Sequence, residues 1–339
     1  MADMKLFNDS AFESVTFTDS IQDKDFQPSL LGDMGIFEVQ PSRTTGIMLE
    51  QDAKTNSLIA VSLRGEPISE AEKRKRNIRT VEAHKIAQTS TVYSDEVLNV
   101  RAYGKTTELM QVKSLVADGI EIVDGNISLT EENMRLGAVQ GIVVDADGVT
   151  VLNNWFTFWG ITQSAEIAWN LAAATVPEVK SKIRAVHRTM EDEAKGLNIT
   201  EVIALCGNNF FDALENHEVY TGNQQTSVEA QRLVDEYGRA YSKISLGNIV
   251  WINYRGSQSE SAVAINTDEV KFFPKAKGLF KHGLACASSA KFIGRPGMRR
   301  YVFTSKDMVK EEWFKAEIET YPLFYCTKPQ LLLRGKVGA

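Results

Sequence analysis

The stretch NISLTEENMRLGAVQGIVVDADGVTVLNNWFTFWG, residues 126–160, decides how the rest of the chain is interpreted. Ser128 followed by Glu131 is a capping-box pattern, in which a hydroxyl and a carboxylate bond two of the free N–H groups at the start of a helix. Apolar residues then recur at a roughly helical spacing. The tetrapeptide Asp145–Gly148 predicts a tight turn, and the aromatic run beyond it predicts a strand. We therefore predict a backbone spine, made of a helix, a turn and an aromatic strand, that carries no catalytic group.

The 339-residue chain has the composition of a soluble globular protein, with 43% apolar and 24% charged residues. This length suffices for two domains, or for one body with large insertions. A formal net charge of −6 argues against a high-affinity nucleic-acid-binding protein, which normally carries a basic stripe. No apolar run approaches the length of about 18 residues that spans a bilayer, and the first residues lack the pattern of a signal peptide. The cysteines form no C-x-x-C motif, which indicates a reducing cytoplasm and no disulfide framework. They are Cys206, Cys286 and Cys326.

The chain before residue 93 is predicted to contain an arm and an excursion from the core. Residues 1–28 are polar and acidic with four isolated phenylalanines, which favours an arm that becomes ordered against something else; a frayed terminus without a role is an equal alternative. Residues 44–92 are predicted to leave the core, with a hairpin formed by the β-rich runs Thr44–Glu50 and Leu58–Arg64. The charged stretch Glu66–Arg79 favours a solvated or inter-subunit face over a phosphate-binding patch, because acidic residues precede its basic cluster and no aromatics are interleaved.

Two short helices are predicted between this excursion and the spine. Ser94 and Asp95 cap the first, which ends near Gly104. The second covers 107–117 and stops at Asp118–Gly119, because a glycine after a polar residue is a common helix end.

Residues 161 to about 300 alternate between helical and strand patterns, which predicts a compact α/β or α+β domain. Its clearest helix has Thr175 as N-cap, Glu178 completing a capping box and Gly196 just past its end. The apolar positions of that helix are Val179, Ile183, Val186, Met190 and Ala194. Further predicted elements are a strand at Glu201–Cys206, helices at Phe210–Leu214 and Ser227–Tyr237, and strands at Ala240–Ile244 and Asn248–Tyr254. Two X-Pro pairs in the tail, 313–333, favour extended strands over a helix there.

Motifs for catalysis or metal binding are missing from the sequence. There is no G-x-S-x-G, no H-E-x-x-H, no P-loop and no dinucleotide fingerprint, and the four histidines are far apart. Cys206 precedes a Gly-Asn-Asn turn, where a nucleophile could sit, but a buried structural cysteine is the favoured interpretation. The turn at Asp145–Gly148 offers too few acidic ligands for calcium. The basic segment Gly294–Arg300 is interpreted as a surface loop rather than a phosphate contact. We predict no catalytic residue, no cofactor and no metal site.

Several segments, taken in order, resemble the tailed-phage major capsid proteins of the lambda type, the capsid E family. They are LGDMGIF at 31–37, TTGIMLE at 44–50, LIA at 58–60, RGEP at 64–67, EVLNVRAYG at 96–104 and ETYPLFYCTKP at 319–329. Their order and spacing hold from Leu30 to Arg334. The resemblance implies the HK97-like phage capsid fold, an α+β architecture with an N-terminal arm, an extended hairpin called the E-loop, a peripheral domain with a spine helix, and an axial domain.

This resemblance implies a division of the chain into five parts. Residues 1–30 are the N-terminal arm, 31–92 the entry strand and E-loop excursion, 93–160 the peripheral domain with its spine helix, 161–305 the axial domain, and 306–339 the return strands of the peripheral domain.

The resemblance also implies a structural role without catalysis. We expect self-assembly into pentamers and hexamers of an icosahedral virion head that encloses double-stranded DNA, with assembly in the host cytoplasm and no membrane contact. Scaffolding, portal and decoration proteins are the expected partners, and contact with DNA is expected to be non-specific. Two alternatives stay open: a cytoplasmic α/β enzyme centred on 161–300 with Cys206 or Asp212 in its site, and a cellular nanocompartment shell of the same fold.

Candidate inter-subunit contacts are charged residues of the excursion, where mixed signs suit contact with a neighbouring chain. They are Lys54, Arg64, Glu66, Lys73, Arg74, Lys75, Arg76 and Arg79.

Overall fold

The computed structural model describes residues 29–52, 76–94, 96, 108–221, 242–254, 263–292, 294–310 and 312–338. Its helices are α1 (Leu30–Asp33), α2 (Glu108–Gln140), α3 (Trp155–Trp159), α4 (Val176–Ala194), α5 (Asn208–Glu215) and α6 (Glu218–Thr221). Its strands are β1 (Phe37–Pro41), β2 (Gly46–Asp52), β3 (Arg76–Glu82), β4 (Ile86–Tyr93), β5 (Ile142–Val144), β6 (Val151–Asn154), β7 (Ile167–Ala168), β8 (Ile199–Cys206), β9 (Lys243–Leu246), β10 (Ile249–Asn253), β11 (Glu269–Ala276), β12 (Phe280–Leu284), β13 (Tyr301–Lys306), β14 (Trp313–Thr320), β15 (Pro322–Cys326) and β16 (Leu333–Lys336). None of the described helices has the length and apolar character needed to cross a membrane. The arm predicted at 1–28 lies outside the described residues.

The long helix α2 corrects two predictions made from the sequence. Its 33 residues continue through Asp118 and Gly119, where a helix was predicted to stop, and through Ser128, where another was predicted to begin. A glycine inside a helix costs about 1 kcal/mol relative to alanine. At position 119, however, the helix passes so close to β4 that a β-carbon would overlap the side chain of Ser90. Tertiary packing therefore overrides the local stop signal. Beyond Ser94, the first predicted helix falls mostly outside the described residues.

The aromatic segment after β6 is a short helix, α3, and not the predicted strand. The side chain of Asn154 accepts hydrogen bonds from the N–H groups of Phe156 and Thr157, both at 3.1 Å, and so caps the helix start. Gly160 ends it in the left-handed conformation, with φ of 70°. These end signals outweigh the strand preference of the aromatic residues between them.

A two-stranded antiparallel ribbon forms from β2 and β3, with paired residues from Gly46↔Glu82 to Asp52↔Arg76. The first predicted strand of the excursion is therefore present. Its partner is β3. This strand was not predicted, because the stretch that contains it is rich in charged residues. The predicted partner, Leu58–Arg64, lies outside the described residues. The paired strands are thus separated in sequence by residues 53–75, and not by the short polar loop that was predicted before Leu58.

Strands β13, β14 and β4 form an antiparallel sheet, in that order, that packs on α2. Val123 and Ile127 of the helix contact Ile318 of β14 in a small buried cluster. The amide of Asn126 donates to Gln88 at 3.1 Å. The helix and the three-stranded sheet therefore pack against each other as two layers.

A six-stranded mixed sheet, in the order β7-β16-β11-β8-β10-β9, forms the largest core with α4 and α5. The prediction for α4 is confirmed: Thr175 N–H donates to Glu178 Oε2 at 2.7 Å, and the five predicted apolar positions are all buried. Its end is marked by positive φ at Lys195 and Gly196. The helix predicted at Phe210–Leu214 is α5, while the one predicted at Ser227–Tyr237 lies outside the described residues.

The tail is extended, as predicted, but its strands enter three different sheets. β14 lies in the sheet on α2, β15 pairs with β12 in a central sheet of order β1-β12-β15, and β16 lies in the six-stranded sheet. β13, from the segment predicted as axial, pairs with β14 instead. Periodicity predicts that a segment is a strand, but it does not predict which sheet the strand joins.

Candidate functional site

The residues of the alternative enzymatic site do not form a reactive constellation. Cys206 is fully buried, and burial raises the pKa of its thiol well above its ordinary value, so the reactive thiolate is disfavoured. Asp212 lies on the exposed side of α5. Within the described residues, no three His, Cys, Asp or Glu side chains are grouped to hold a metal ion.

The most distinctive polar feature is the carboxylate of Glu132, which is completely buried on α2. The N–H groups of Leu31 and Gly32 in α1 donate to its two oxygens at 2.7 and 3.1 Å. The hydroxyl of Tyr254, just after β10, donates to the same group at 3.4 Å. Glu132 therefore holds together the first described segment of the chain, the long helix and the six-stranded sheet.

Two arginines extend this contact into a network. Arg135 donates to Glu132 at 3.2 Å and to Glu131 at 3.1 Å. Arg300 donates to the other oxygen of Glu131 and to Asp124, both at 2.6 Å. Ser128 completes the set by accepting from Arg300 at 3.1 Å. We call this set of side chains the junction network. Its members are Asp124, Ser128, Glu131, Glu132, Arg135 and Arg300.

The same contacts explain why Ser128 and Glu131 do not cap a helix. Both polar side chains bind Arg300, which lies immediately before β13, so they join the loop 294–300 to α2. The loop is mostly exposed, as predicted, but its last residue, Arg300, also links it to α2. A run of charged residues within a buried helix face was the signal available in the sequence.

Burial opposes the charged forms of both Glu132 and Arg300. It raises the pKa of Glu132 above its ordinary value, although the Leu31 N–H and the Arg135 charge act in the opposite direction. Burial also lowers the pKa of Arg300, but hydrogen bonding and attraction to Glu131 more than offset this. The partners of Arg300 thus favour its charged form, whereas the partners of Glu132 offset its burial only in part.

A buried histidine lies beside the network. His282 of β12 stacks on Phe324 with ring centroids 4.1 Å apart. Burial, and then the positive charges of Arg135, Arg299 and Arg300, lower its pKa to about 3. His282 is therefore a neutral part of the core near pH 7.

The base of the β2–β3 ribbon has one buried and one exposed face. Ile47 and Leu49 are buried, together with Trp155 of α3 and Tyr325 of β15. On the other face Met48 is 67% exposed and Ile78 54% exposed. The ribbon is therefore seated on the core by one face and presents apolar side chains outward on the other.

Two of the predicted inter-subunit contact residues, Arg76 and Arg79, lie in the described part of the chain. Arg76 begins β3, opposite Asp52. Arg79 is exposed, and its guanidinium lies 5.5 Å from the ring centroid of Phe158 in the same chain. The other predicted contact residues lie outside the described residues: Lys54, Arg64, Glu66, Lys73, Arg74 and Lys75.

Comparison with known proteins finds a family match and a relative that each cover most of the chain. The family model described as phage major capsid protein E matches residues 13–337. The major capsid protein of Salmonella phage Felix O1 is 23% identical, with 91% of this chain and 92% of that protein covered.

Solved capsid structures have the same fold at low sequence identity. The capsid protein of a native GTA particle is 14% identical, with a TM-score of 0.52 and 100% of both chains covered. The capsid protein of Ralstonia phage GP4 is 7% identical, with a TM-score of 0.53 and 92% and 90% of the two chains covered. The fold is the HK97-like α+β capsid fold, and the implied role is structural. Because the family model spans nearly the whole sequence, this chain belongs to the phage major capsid protein E family.

Proposed function

We propose that this chain self-assembles into pentamers and hexamers that close into an icosahedral head around double-stranded DNA. The observation that carries the proposal is the family match over residues 13–337. In such a shell each chain meets its neighbours through heterologous contacts that close into rings. Individual contacts can be modest because many are made at once.

The physical division of the chain supports this role. The six-stranded sheet packs with α4 and α5, and a three-stranded sheet packs on α2. We assign residues 161–305 mainly to an axial domain, and 93–160 with much of 306–339 to a peripheral domain. Residues 1–30 are assigned to the arm and 31–92 to the entry strand and E-loop. Glu132 of the junction network binds Leu31 and Gly32, the first residues of the assigned entry segment, directly after the arm.

The proposed location is the virion, after assembly in the host cytoplasm. A scaffolding protein, a portal and a decoration protein are the proposed partners, and DNA contact is proposed to be non-specific because the chain carries a net charge of −6. The exposed apolar side chains of the ribbon, Met48 and Ile78, are proposed to contact a neighbouring copy.

Sedimentation tests the proposal directly. The full chain, expressed alone, is expected to sediment as rings or megadalton shells, with five- and six-membered rings visible by electron microscopy. The matched control is Met48→Glu with Ile78→Glu, which should fold normally and assemble less. A wild-type chain that stays monomeric at every concentration would contradict the proposal.

A further inference from the structure

The exposed side of α4 carries a stripe of like charges. Lys180, Arg184 and Arg188 follow one another at intervals of four residues, so they lie on one helix face and span about 12 Å. All three are exposed, and within the described residues their side chains form no ion pair. Like charges four residues apart on a helix repel each other and destabilise it slightly. This basic stripe therefore does not serve the helix itself.

Three acidic residues lie on the elements that follow the basic stripe in the chain. Asp212 and Glu215 lie on α5, three residues apart, and Glu218 begins α6. These carboxylates are exposed and, in the part of the chain that the structure describes, have no cationic partner. We call these three residues the acidic patch. The same part of the chain thus carries exposed charges of opposite sign on different helices, with no ion pair between them among the described residues.

The basic stripe borders a recess that can receive side chains. An open cleft of about 340 Å³ is lined by Lys180, Ile183 and Arg184 of α4 together with Leu246–Asn248, the turn between β9 and β10. His187 lies at its end and binds Gly247 O at 2.9 Å, which fixes the turn against the helix. The stripe is therefore part of a shaped surface rather than a set of isolated side chains.

We propose that the basic stripe of one copy docks on the acidic patch of the next copy around a ring. This inference rests on the proposed self-assembly and names one of its contacts. A stripe of one sign repels an identical stripe, so neither surface can pair with itself across a two-fold axis. Two different surfaces of opposite sign pair heterologously, and heterologous contacts are the kind that generate closed rings.

A second copy is favoured over DNA as the occupant. A surface that binds DNA must attract phosphates, but here the acidic patch lies on the same part of the chain, and the whole chain carries a net charge of −6. Charge complementarity within the chain itself supplies a partner of the right sign and number. No other molecule has to be assumed.

Charge reversal on each surface, and then on both together, provides the test. Arg184→Glu with Arg188→Glu should lower the assembled fraction at least about tenfold, and so should Asp212→Lys with Glu215→Lys, because each places like charges opposite one another. The variant with all four changes should assemble within about threefold of wild type. It also restores the net charge, which separates a specific contact from a general charge effect. Circular dichroism melts of each variant check that the subunit folds.

Mixing gives a second measurement that does not depend on the fourfold variant. Equal amounts of the two double variants should form mixed six-membered rings, since each failing surface then meets its complement on the other chain. Failure of both the fourfold variant and the mixture to assemble, with wild type assembling, would overturn the inference alone. A stripe variant that assembles normally but has a lower DNA affinity and a weaker salt dependence would overturn it in favour of a DNA contact. A wild-type chain that never assembles would overturn the proposed function as well.

Discussion

Gly137 of α2 lies directly against Val143 of β5: a β-carbon on the glycine would be 2.7 Å from the Cα of Val143 and 2.9 Å from the carbonyl oxygen of Ile142. Both neighbours are backbone atoms, which cannot rotate away. The helix and the strand that follows it can pack this closely only because position 137 has no side chain.

Replacing Gly137 with alanine is therefore expected to destabilise the subunit by about 1–3 kcal/mol, although alanine is the better helix former. Urea denaturation of the unassembled chain measures the change. Gly119→Ala is the matched control, because its β-carbon would meet the Ser90 side chain, which can move. Gly119→Ala should cost clearly less; equal losses would show that the backbone contact at Gly137 is not the cause.

The buried carboxylate of Glu132 gives the second prediction. Glu132→Gln should lower the free energy of unfolding by about 2–4 kcal/mol, because Arg135 loses a buried partner and the N–H groups of Leu31 and Gly32 lose a charged acceptor. Hydrogen exchange at Leu31 and Gly32 should speed up as α1 detaches. The control is Glu269→Gln, whose ion pair with Lys271 is more exposed and should cost about 0–1 kcal/mol. Unchanged exchange in Glu132→Gln would show that this carboxylate does not hold α1 in place.

The depressed pKa of His282 predicts sensitivity to acid. The ordinary pKa of histidine is 6.5, whereas that of folded His282 is about 3. Between these values the unfolded chain binds the extra proton, so the free energy of unfolding falls as the pH is lowered, by up to about 1.4 kcal/mol per pH unit for this group. His282→Phe keeps a ring against Phe324 but cannot titrate. Its stability should therefore decline less than that of wild type between pH 6.5 and pH 4, and parallel curves would contradict the prediction.

The basic cluster of the excursion gives the fourth prediction. Replacing Lys73, Arg74, Lys75 and Arg76 with alanine should leave the melting temperature unchanged and slow assembly at low salt, because a neighbouring chain loses its cationic partners. Light scattering follows assembly, and circular dichroism follows the melt. A lower affinity for nucleic acid, with a salt slope that falls by about one for each phosphate no longer neutralised, would instead indicate a DNA-binding patch.

Local sequence patterns predicted the secondary structure correctly where an element depends only on residues close to it in the chain. The capping box at Thr175 and Glu178 and the apolar positions of α4 were predicted correctly because a helix start and a helix face depend on residues within a few turns. The same kind of signal failed at Ser128, where the hydroxyl binds Arg300, 172 residues away.

The junction network was the part of the candidate site that sequence reasoning missed. Its central contact joins Glu132 to residues about 100 positions earlier in the chain, and no periodicity reveals such a pairing. The pairing of β2 with β3 was also not predicted from the sequence. The reason is that β3 carries charged residues typical of a surface, although its backbone pairs regularly with β2. The overall architecture was predicted from the family resemblance, because the resemblance reflects the order of many segments rather than any local pattern.

The six-stranded sheet has a consequence for aggregation. In the described part of the chain its outermost strands are very short: β7 has two residues and β9 has four, the first of them Lys243. Short edges with a lysine offer few free backbone groups to a passing strand. These short edges therefore disfavour strand pairing between copies at high protein concentration. Lengthening β9 with β-branched residues should turn ordered assembly into amorphous precipitate.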